Sequence, residues 1–134
     1  SYSYLKPQSV GTQKGLVRLG RGDSVVAEVQ ILAPSGGENN LHYHSNSDSF
    51  WMVLKGKVRF YGIDNKVLGE YGPSEGLITP RFCRYWFENA VDEPTELLHI
   101  VALSNPRNPS SGRQNLAPRP ASMMNHDQFD AVKK

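Results

Sequence analysis

The fold of this chain is decided by the stretch GGENNLHYHSNSDSFWMVLKG, residues 36–56. It joins a short strand carrying two histidines to a strongly apolar strand at residues 50–54. Because side chains alternate between the two faces of a strand, His42 and His44 point the same way and Tyr43 points the other way. Two imidazoles on one face can share a metal ion or a substrate proton, so we expect the functional pocket here.

Strand signals continue on both sides of this stretch. Short runs of β-branched and aromatic residues recur between turn-forming residues, with no helical period between them. We expect the runs on either side of Lys55-Gly56 to form a hairpin. This pattern predicts an all-β chain with a sandwich or barrel architecture. The predicted strands are residues 16–20, 24–32, 41–44, 50–54, 57–61, 67–68, 77–79, 84–88 and 95–103, with loops or turns at 34–40 and 45–48.

Composition excludes several classes of protein. The 134 residues fit one domain, and 15 basic against 13 acidic residues give a net charge of only +2. This balance provides no basic field for nucleic acid or an anionic membrane, and no apolar run approaches the roughly 20 residues that span a bilayer. The lone cysteine, Cys83, cannot form an internal disulfide, which favours a reducing compartment. We therefore expect a cytoplasmic protein with no nucleic-acid or membrane partner.

The two ends of the chain differ from its middle. Residues 1–14 are polar and lack a clear period, and we interpret them as an N-terminal extension. Residues 15–104 carry the predicted barrel. Residues 105–134 contain four prolines and little apolar character, which indicates an extended C-terminal arm. Within that arm we expect residues 127–132 to add one helical turn.

The central stretch resembles the first motif of the cupin family. That motif places a glycine six positions before a His-x-His pair and a second glycine after an apolar run, as Gly36, His42, His44 and Gly56 do here. The resemblance implies a single-domain jelly-roll barrel with a small-molecule pocket at its mouth. It also implies a homodimer, the common state of small cupins, and a dimer would cover sheet edges.

A second motif follows, and its departures from the family pattern matter. Pro80 and Asn89 match the spacing of the second cupin motif, but the motif histidine falls at Tyr85. In the first motif, the usual glutamate ligand falls at Ser49. The metal ligands of the family therefore carry over onto His42 and His44 only.

Three functions remain open from these residues. The first is a metal-dependent enzyme in which His42 and His44 hold a divalent ion, which would be Fe, Zn, Ni or Mn. The second is a metal-free isomerase, epimerase or lyase in which His42, His44 and Tyr85 act as acid and base. The third is a cupin that binds a ligand without catalysis. Tyr85 or His99 would be the further ligand of a metal. For His99, however, we favour an interior position with its hydrogen bonds satisfied, or a position on the outer face.

Strand parity predicts the pocket walls. Ser49, Trp51 and Val53 should share the inward face of their strand, and Tyr85 and Phe87 should share a face of theirs. An aromatic cavity with a few polar groups is the usual form of a small-molecule site, so we expect Ser49, Trp51 and Phe87 to line the substrate pocket. Ordinary core packing would explain Trp51 and Phe87 equally well.

Overall fold

The computed structural model describes residues 1–7, 14–120 and 127–133. These residues are nearly all in strands and turns, with a single 3-10 turn at Ile63–Asn65 and no α-helix among them. No helix in these ranges is long and apolar enough to cross a bilayer. The strands are β1 (Tyr2–Ser3), β2 (Lys14–Arg21), β3 (Val25–Leu32), β4 (Gly37–His44), β5 (Ser47–Lys55), β6 (Val58–Tyr61), β7 (Val67–Tyr71), β8 (Gly76–Thr79), β9 (Tyr85–Asn89), β10 (Thr95–Leu103), β11 (Arg113–Asn115), β12 (Asp127–Asp130) and β13 (Val132–Lys133).

Two sheets form the body of the fold. One has six strands in the order β12-β2-β3-β10-β5-β8, and the other has five in the order β11-β4-β9-β6-β7. Their pairings are antiparallel except for β12, which lies parallel to β2. The short strands β1 and β13 pair separately. The predicted all-β jelly-roll fold is confirmed, with two facing sheets that are not closed by a continuous ladder.

The main core lies between the two sheets. Trp51 and Val53 from β5 meet Phe60 from β6 and Tyr85 and Phe87 from β9, and all five side chains are almost completely buried. Phe60 and Phe87 stack with ring centroids 4.7 Å apart, and Trp51 meets Phe87 edge-on at 5.0 Å. Burial of aromatic side chains of this size contributes several kcal/mol in total, of order 2 kcal/mol each, so this cluster fixes the spacing of the two sheets.

A second apolar cluster covers the outer face of the six-stranded sheet. Val17, Leu19, Val29 and Ile31 are buried there, and Tyr4 from the N-terminal segment packs against them. The Tyr4 hydroxyl donates a 2.5 Å hydrogen bond to Glu96 of β10. The N-terminal segment therefore covers part of the outer face of this sheet.

The expected hairpin across Lys55-Gly56 is wrong. The chain crosses between sheets at this point, so β5 pairs with β8 and β10, whereas β6 pairs with β7 and β9. Gly56 takes a φ of +96°, and a Cβ there would lie 2.3 Å from Thr95 Oγ1. Gly56 therefore allows the chain to bend from one sheet into the other, and the local sequence of such a bend is the same as that of a tight hairpin turn.

Two loop assignments were also too long. β4 already begins at Gly37, inside the predicted loop 34–40, and β5 begins at Ser47, inside the predicted turn. Both extra segments are polar, because their side chains face the interior polar site or the loops beside it rather than an apolar core.

The C-terminal arm returns to the barrel. The helical turn expected at 127–132 is wrong, because residues 127–130 form β12 beside β2. Earlier in the arm, β11 pairs with β4 and adds an edge to the five-stranded sheet. The side chain of Asn46 donates to the backbone carbonyls of Asn105, Asn108 and Ser110, which holds the start of the arm against the end of β4.

Candidate functional site

One wall of the site is formed where β4 pairs with β9 in the five-stranded sheet. His42 lies directly opposite Tyr85 in the register of these strands, and their ring centroids are 4.4 Å apart. His44 meets His42 edge-on at 5.1 Å. The structure therefore brings together the three residues predicted for acid–base chemistry.

The His42 ring has a defined tautomer. Its Nδ1 lies 2.8 Å from the backbone carbonyl of Asn40, and since a carbonyl can only accept, Nδ1 carries the proton and donates it. In the neutral ring, Nε2 then holds a free lone pair. That atom is fully buried and makes no hydrogen bond with any described residue. Burial, the largest influence, lowers the pKa of His42, so the ring is a neutral base at pH 7.

Tyr85 provides the complementary group. Its ring is 1% exposed, and its hydroxyl is buried without a hydrogen-bond partner among the described residues, although it lies near Thr79. Burial raises the pKa of Tyr85 well above its ordinary value, and the negative charge of Glu38 adds to the effect. The phenol is therefore protonated and available as a donor beside the His42 base.

His44 is held by the C-terminal arm. Its Nδ1 lies 2.9 Å from the hydroxyl of Ser111. Burial and the neighbouring His42 lower the pKa of His44 to about 4, so this ring is also neutral at pH 7. The contact with Ser111 fixes the ring at the mouth of the barrel.

A buried ion pair closes the same side. Glu38 of β4 accepts a short hydrogen bond from Nη1 of Arg113, whose Nη2 also donates to Asn40 at 2.8 Å. Burial alone would raise the pKa of Glu38, but the positive charges of Lys14 and Arg113 hold it well below its ordinary value. Glu38 is therefore ionised, and its buried ion pair with Arg113 joins the C-terminal arm to β4.

The opposite wall belongs to the six-stranded sheet. His99 of β10 stacks on Trp51 with ring centroids 3.7 Å apart and planes 3° apart. Its Nδ1 lies 2.9 Å from Glu28 Oε1, and its Nε2 lies 2.9 Å from Ser49 Oγ. His99 is thus an interior histidine with both nitrogens partnered, which was the preferred reading. Gln30 lies within 3.4 Å of both Glu28 and Glu38 and links the two walls.

The site does not offer a metal the ligands it requires. Among residues 1–7, 14–120 and 127–133, no group of three or more His, Cys, Asp or Glu side chains is placed to hold an ion. Glu38 Oε1 is 3.8 Å from His42 Nε2, but Arg113 already binds that carboxylate. A divalent ion would also meet the guanidinium charge. This arrangement does not fit the divalent ion predicted for His42 and His44.

The predicted wall residues separate into two groups. Ser49 and Trp51 lie beside His99 on the wall opposite His42, and both are buried. Phe87 lies deeper, packed between Trp51 and Phe60 in the apolar core. A role for these three residues in binding a substrate stays a prediction.

Sequence reasoning missed the charged residues of the site. Glu38 has the parity of His42, and the pair would have been visible if β4 had been started at Gly37. Glu28 occupies a polar position in the β3 pattern, but nothing in the sequence places it beside His99. Arg113 could not have been found, because the arm shows no period that indicates where it docks.

An open cavity of about 610 Å³ lies at the ends of β2 and β3. It is lined on one side by Leu16, Arg18, Val26 and Glu28. Since Glu28 also binds His99, this carboxylate connects the cavity to the interior wall. The cavity is separate from the buried faces of His42 and Tyr85.

Comparison with known proteins gives one family and one fold. A family model described as a cupin domain matches residues 28–101. Comparison with curated proteins finds no match. The structure is similar to a conserved protein with a double-stranded β-helix domain from Klebsiella pneumoniae, with a TM-score of 0.64, 18% identity and coverage of 86% of this chain and 92% of that one.

Two solved enzymes share the fold at low identity. One is a sugar phosphate isomerase of the cupin superfamily from Silicibacter pomeroyi, with a TM-score of 0.53, 22% identity and coverage of 59% of this chain and 50% of that one. The other is the oxalate decarboxylase of Bacillus subtilis, which has Mn(II) centres, with a TM-score of 0.54, 20% identity and coverage of 69% and 24%. The present chain thus spans half or less of the length of these two enzymes.

Proposed function

The chain belongs to the cupin domain family, and from that premise we propose that it is a metal-free acid–base enzyme of the isomerase or epimerase type. Its substrate would be a small hydroxycarbonyl compound. His42 would be the base and Tyr85 the acid. The observation that supports this proposal is the unpaired, buried Nε2 of His42 beside a protonated phenol.

The chemistry follows from the two protonation states. His42 Nε2 takes a proton from the carbon next to the carbonyl group, and the Tyr85 hydroxyl donates to the carbonyl oxygen as negative charge develops there. Return of the proton to the former carbonyl carbon completes an isomerisation, while the neighbouring hydroxyl gives its proton to the Tyr85 phenolate and becomes the new carbonyl. Return of the proton to the opposite face of the same carbon completes an epimerisation, while the enol hydroxyl gives its proton back to Tyr85. A base and an acid of this kind contribute about 10²- to 10⁴-fold each. The similar fold of a sugar phosphate isomerase is compatible with this class.

Access to the pocket requires movement of the arm. His42 is 0% exposed and Tyr85 is 1% exposed, so no substrate reaches them in the described conformation. Ser111 and Arg113 lie over the mouth. We infer that the arm lifts to admit the substrate and then closes, which excludes water from the reacting atoms.

The experiment is hydrogen exchange at carbon. The purified protein is incubated in D₂O with a panel of small aldoses, ketoses and hydroxy-ketones, and exchange at the carbon next to the carbonyl is followed by ¹H NMR. His42→Gln and Tyr85→Phe should each lower the exchange rate at least about 100-fold. Tyr43→Phe, on the other face of the same strand, is the matched control and should not change it.

The metal-dependent alternative is decided with the same samples. Titration of the metal-stripped protein with Mn²⁺, Zn²⁺, Ni²⁺ or Fe²⁺ is followed by calorimetry, and metal content is measured by elemental analysis. We expect no stoichiometric binding. Tight binding of one ion that is lost in His42→Gln would reject the metal-free proposal. Ligand binding without exchange of any compound would favour the non-catalytic alternative.

We also propose a homodimer. Phe50 and Ile78 pair across β5 and β8 on the outer face of the six-stranded sheet, and they are 40% and 62% exposed. They lie at the β8 edge of this sheet, where the outer side of β8 pairs with no other described strand, and such an edge with apolar side chains favours association with a second copy. Sedimentation should show a dimer that Ile78→Glu converts to monomer, and a monomeric wild type would reject the proposal.

A further inference from the structure

The wall opposite His42 contains three side chains in a chain of hydrogen bonds. Ser49 Oγ, on β5, lies 2.9 Å from Nε2 of His99, and Nδ1 of the same ring lies 2.9 Å from Oε1 of Glu28. The strands β5, β10 and β3 are neighbours in one sheet, and each contributes one residue. A hydroxyl, an imidazole and a carboxylate in this order are the components of an activated serine nucleophile.

The tautomer of His99 suits this role. A carboxylate oxygen can only accept, so Nδ1 of the neutral ring donates to Glu28, and Nε2 presents its lone pair to Ser49. The Ser49 hydroxyl then donates to Nε2, as a serine must before it gives up its proton. The ring cannot turn away easily, because it is stacked on Trp51 at 3.7 Å and held at both nitrogens.

The Glu28 carboxylate lies directly beside the ring that takes the proton in such a step. Glu28 keeps its charge. Burial would raise its pKa, but the hydrogen bonds from His99 and Gln30 lower it below the ordinary value. The electron-rich face of Trp51 lies against the ring that becomes an imidazolium.

We propose that Ser49, His99 and Glu28 form a second catalytic group, a nucleophilic triad that transfers acyl groups from small esters. Ser49 would be the nucleophile, His99 the general base, and Glu28 the positioning residue. This activity goes beyond the proposed acid–base function, and it uses the wall of the site opposite His42. The buried Tyr85 hydroxyl lies near Thr79, which pairs with Ser49 across β5 and β8, and it would donate to the developing oxyanion.

The proposed reaction balances without a further reagent. Ser49 Oγ forms a bond to the ester carbonyl carbon while His99 Nε2 takes its proton. The bond to the leaving alcohol breaks, and that alcohol receives the proton from His99. A water molecule then attacks the acyl-serine, gives its proton to His99, and releases the carboxylic acid as Ser49 recovers its proton.

The test is covalent labelling of the full chain. The protein is treated with diisopropyl fluorophosphate, and the adduct is measured by intact mass and located by peptide mass spectrometry. Attack by Ser49 on phosphorus expels fluoride, and the serine proton leaves through His99. We expect one adduct, on Ser49, and a burst of nitrophenol from p-nitrophenyl acetate that labelling abolishes.

Matched variants separate activation from structure. Ser47 lies on the same strand and the same face and is also buried, but its hydroxyl has no hydrogen-bond partner among the described residues. Ser47→Ala should label normally and Ser49→Ala should not label. His99→Gln should slow labelling about 10²- to 10⁴-fold with Ser49 still present. Glu28→Gln should slow it as well, and Glu28→Asp should restore part of the rate, which a merely structural role would not do.

Three outcomes would overturn the triad. The first is labelling of Ser49 at an equal rate in wild type and His99→Gln, since the base would then be unnecessary. The second is an adduct on Ser47 or another residue. The third is the absence of an adduct both in wild type and in Arg113→Ala. Because the substitution releases the arm, blocked access of the reagent to Ser49 would then not explain the missing adduct. The adduct requires no hydroxycarbonyl compound, so this test can fail or succeed independently of the exchange assay.

Discussion

Replacement of Arg113 by alanine should destabilise the protein more than loss of a typical surface arginine. The side chain is mostly buried, and its three nitrogens donate to Glu38, Asn40 and Asn115. Removing one partner of a buried ion pair leaves the other charge unpaired and costs about 3–5 kcal/mol. Lys14 also opposes the charge of Glu38, which reduces the loss, so we expect about 3 kcal/mol.

This value corresponds to a measurable change in melting temperature. With an unfolding entropy of about 2.1 cal/mol/K per residue, a chain of 134 residues should lose about 10 °C. Urea unfolding followed by tryptophan fluorescence gives the free energy directly. In Arg113→Ala combined with Glu38→Gln, most of the loss should be recovered, because the second change removes the unpaired charge.

The matched control is the exposed pair between Arg59 and Glu70. It also has two hydrogen bonds, at 2.7 and 3.0 Å, but solvent screens it, so Arg59→Ala should leave the melting temperature nearly unchanged. The reasoning is refuted if Arg113→Ala and Arg59→Ala behave alike, or if the cycle with Glu38→Gln shows additive losses. Either result would mean that the arm is not anchored through a buried charge.

Three further changes probe the fold and its charges. Glu28 and Glu38 have lower pKa values in the folded state than in the unfolded state, where the value is about 4.3. Their ionised forms therefore stabilise the fold above that pH, and this stabilisation is lost as the pH falls through the folded-state pKa. Between pH 6 and pH 3, the urea midpoint should fall less steeply in Glu38→Gln than in wild type. Gly76→Ala should fail to fold or lose more than about 3 kcal/mol of unfolding free energy in thermal melts, because a Cβ would lie 1.8 Å from the carbonyl oxygen of Trp51. A variant of wild-type stability would contradict the packing of β8 against β5. Asn89→Ala should lower the free energy of unfolding, measured in urea, by about 3 kcal/mol, because the buried side-chain amide donates to three backbone carbonyls. A loss under about 1 kcal/mol would show that water takes the place of the amide.

Periodicity predicted the strands of the barrel well where one face is apolar. Phe50 to Leu54 and Thr95 to Leu103 alternate or run apolar because the core decides which side chain faces inward. The same signal failed at Gly37 to Asn40, where the inward positions Glu38 and Asn40 are polar. A strand whose inner face carries charged and polar side chains has no hydrophobic pattern, so its start has the composition of a loop.

Pairing was less predictable than strand position. Lys55 and Gly56 have the local chemistry of a hairpin turn, and only the positions of β8, β9 and β10 reveal that the chain changes sheets there. For the site, the parity of His42 and His44 and their spacing to Tyr85 were sufficient to place one wall. The Ser49–His99–Glu28 wall depends on three strands that are distant in sequence, and contacts of that kind require the fold.

The C-terminal arm places a cover on the barrel that lies outside the segment matched by the family model. The family match ends at residue 101, whereas the side chains that close the mouth, Ser111 and Arg113, come after it. If the arm controls access as proposed, substitutions at Ser111 or Arg113 would change which molecules reach His42 and Tyr85 without altering either wall of the barrel beneath them.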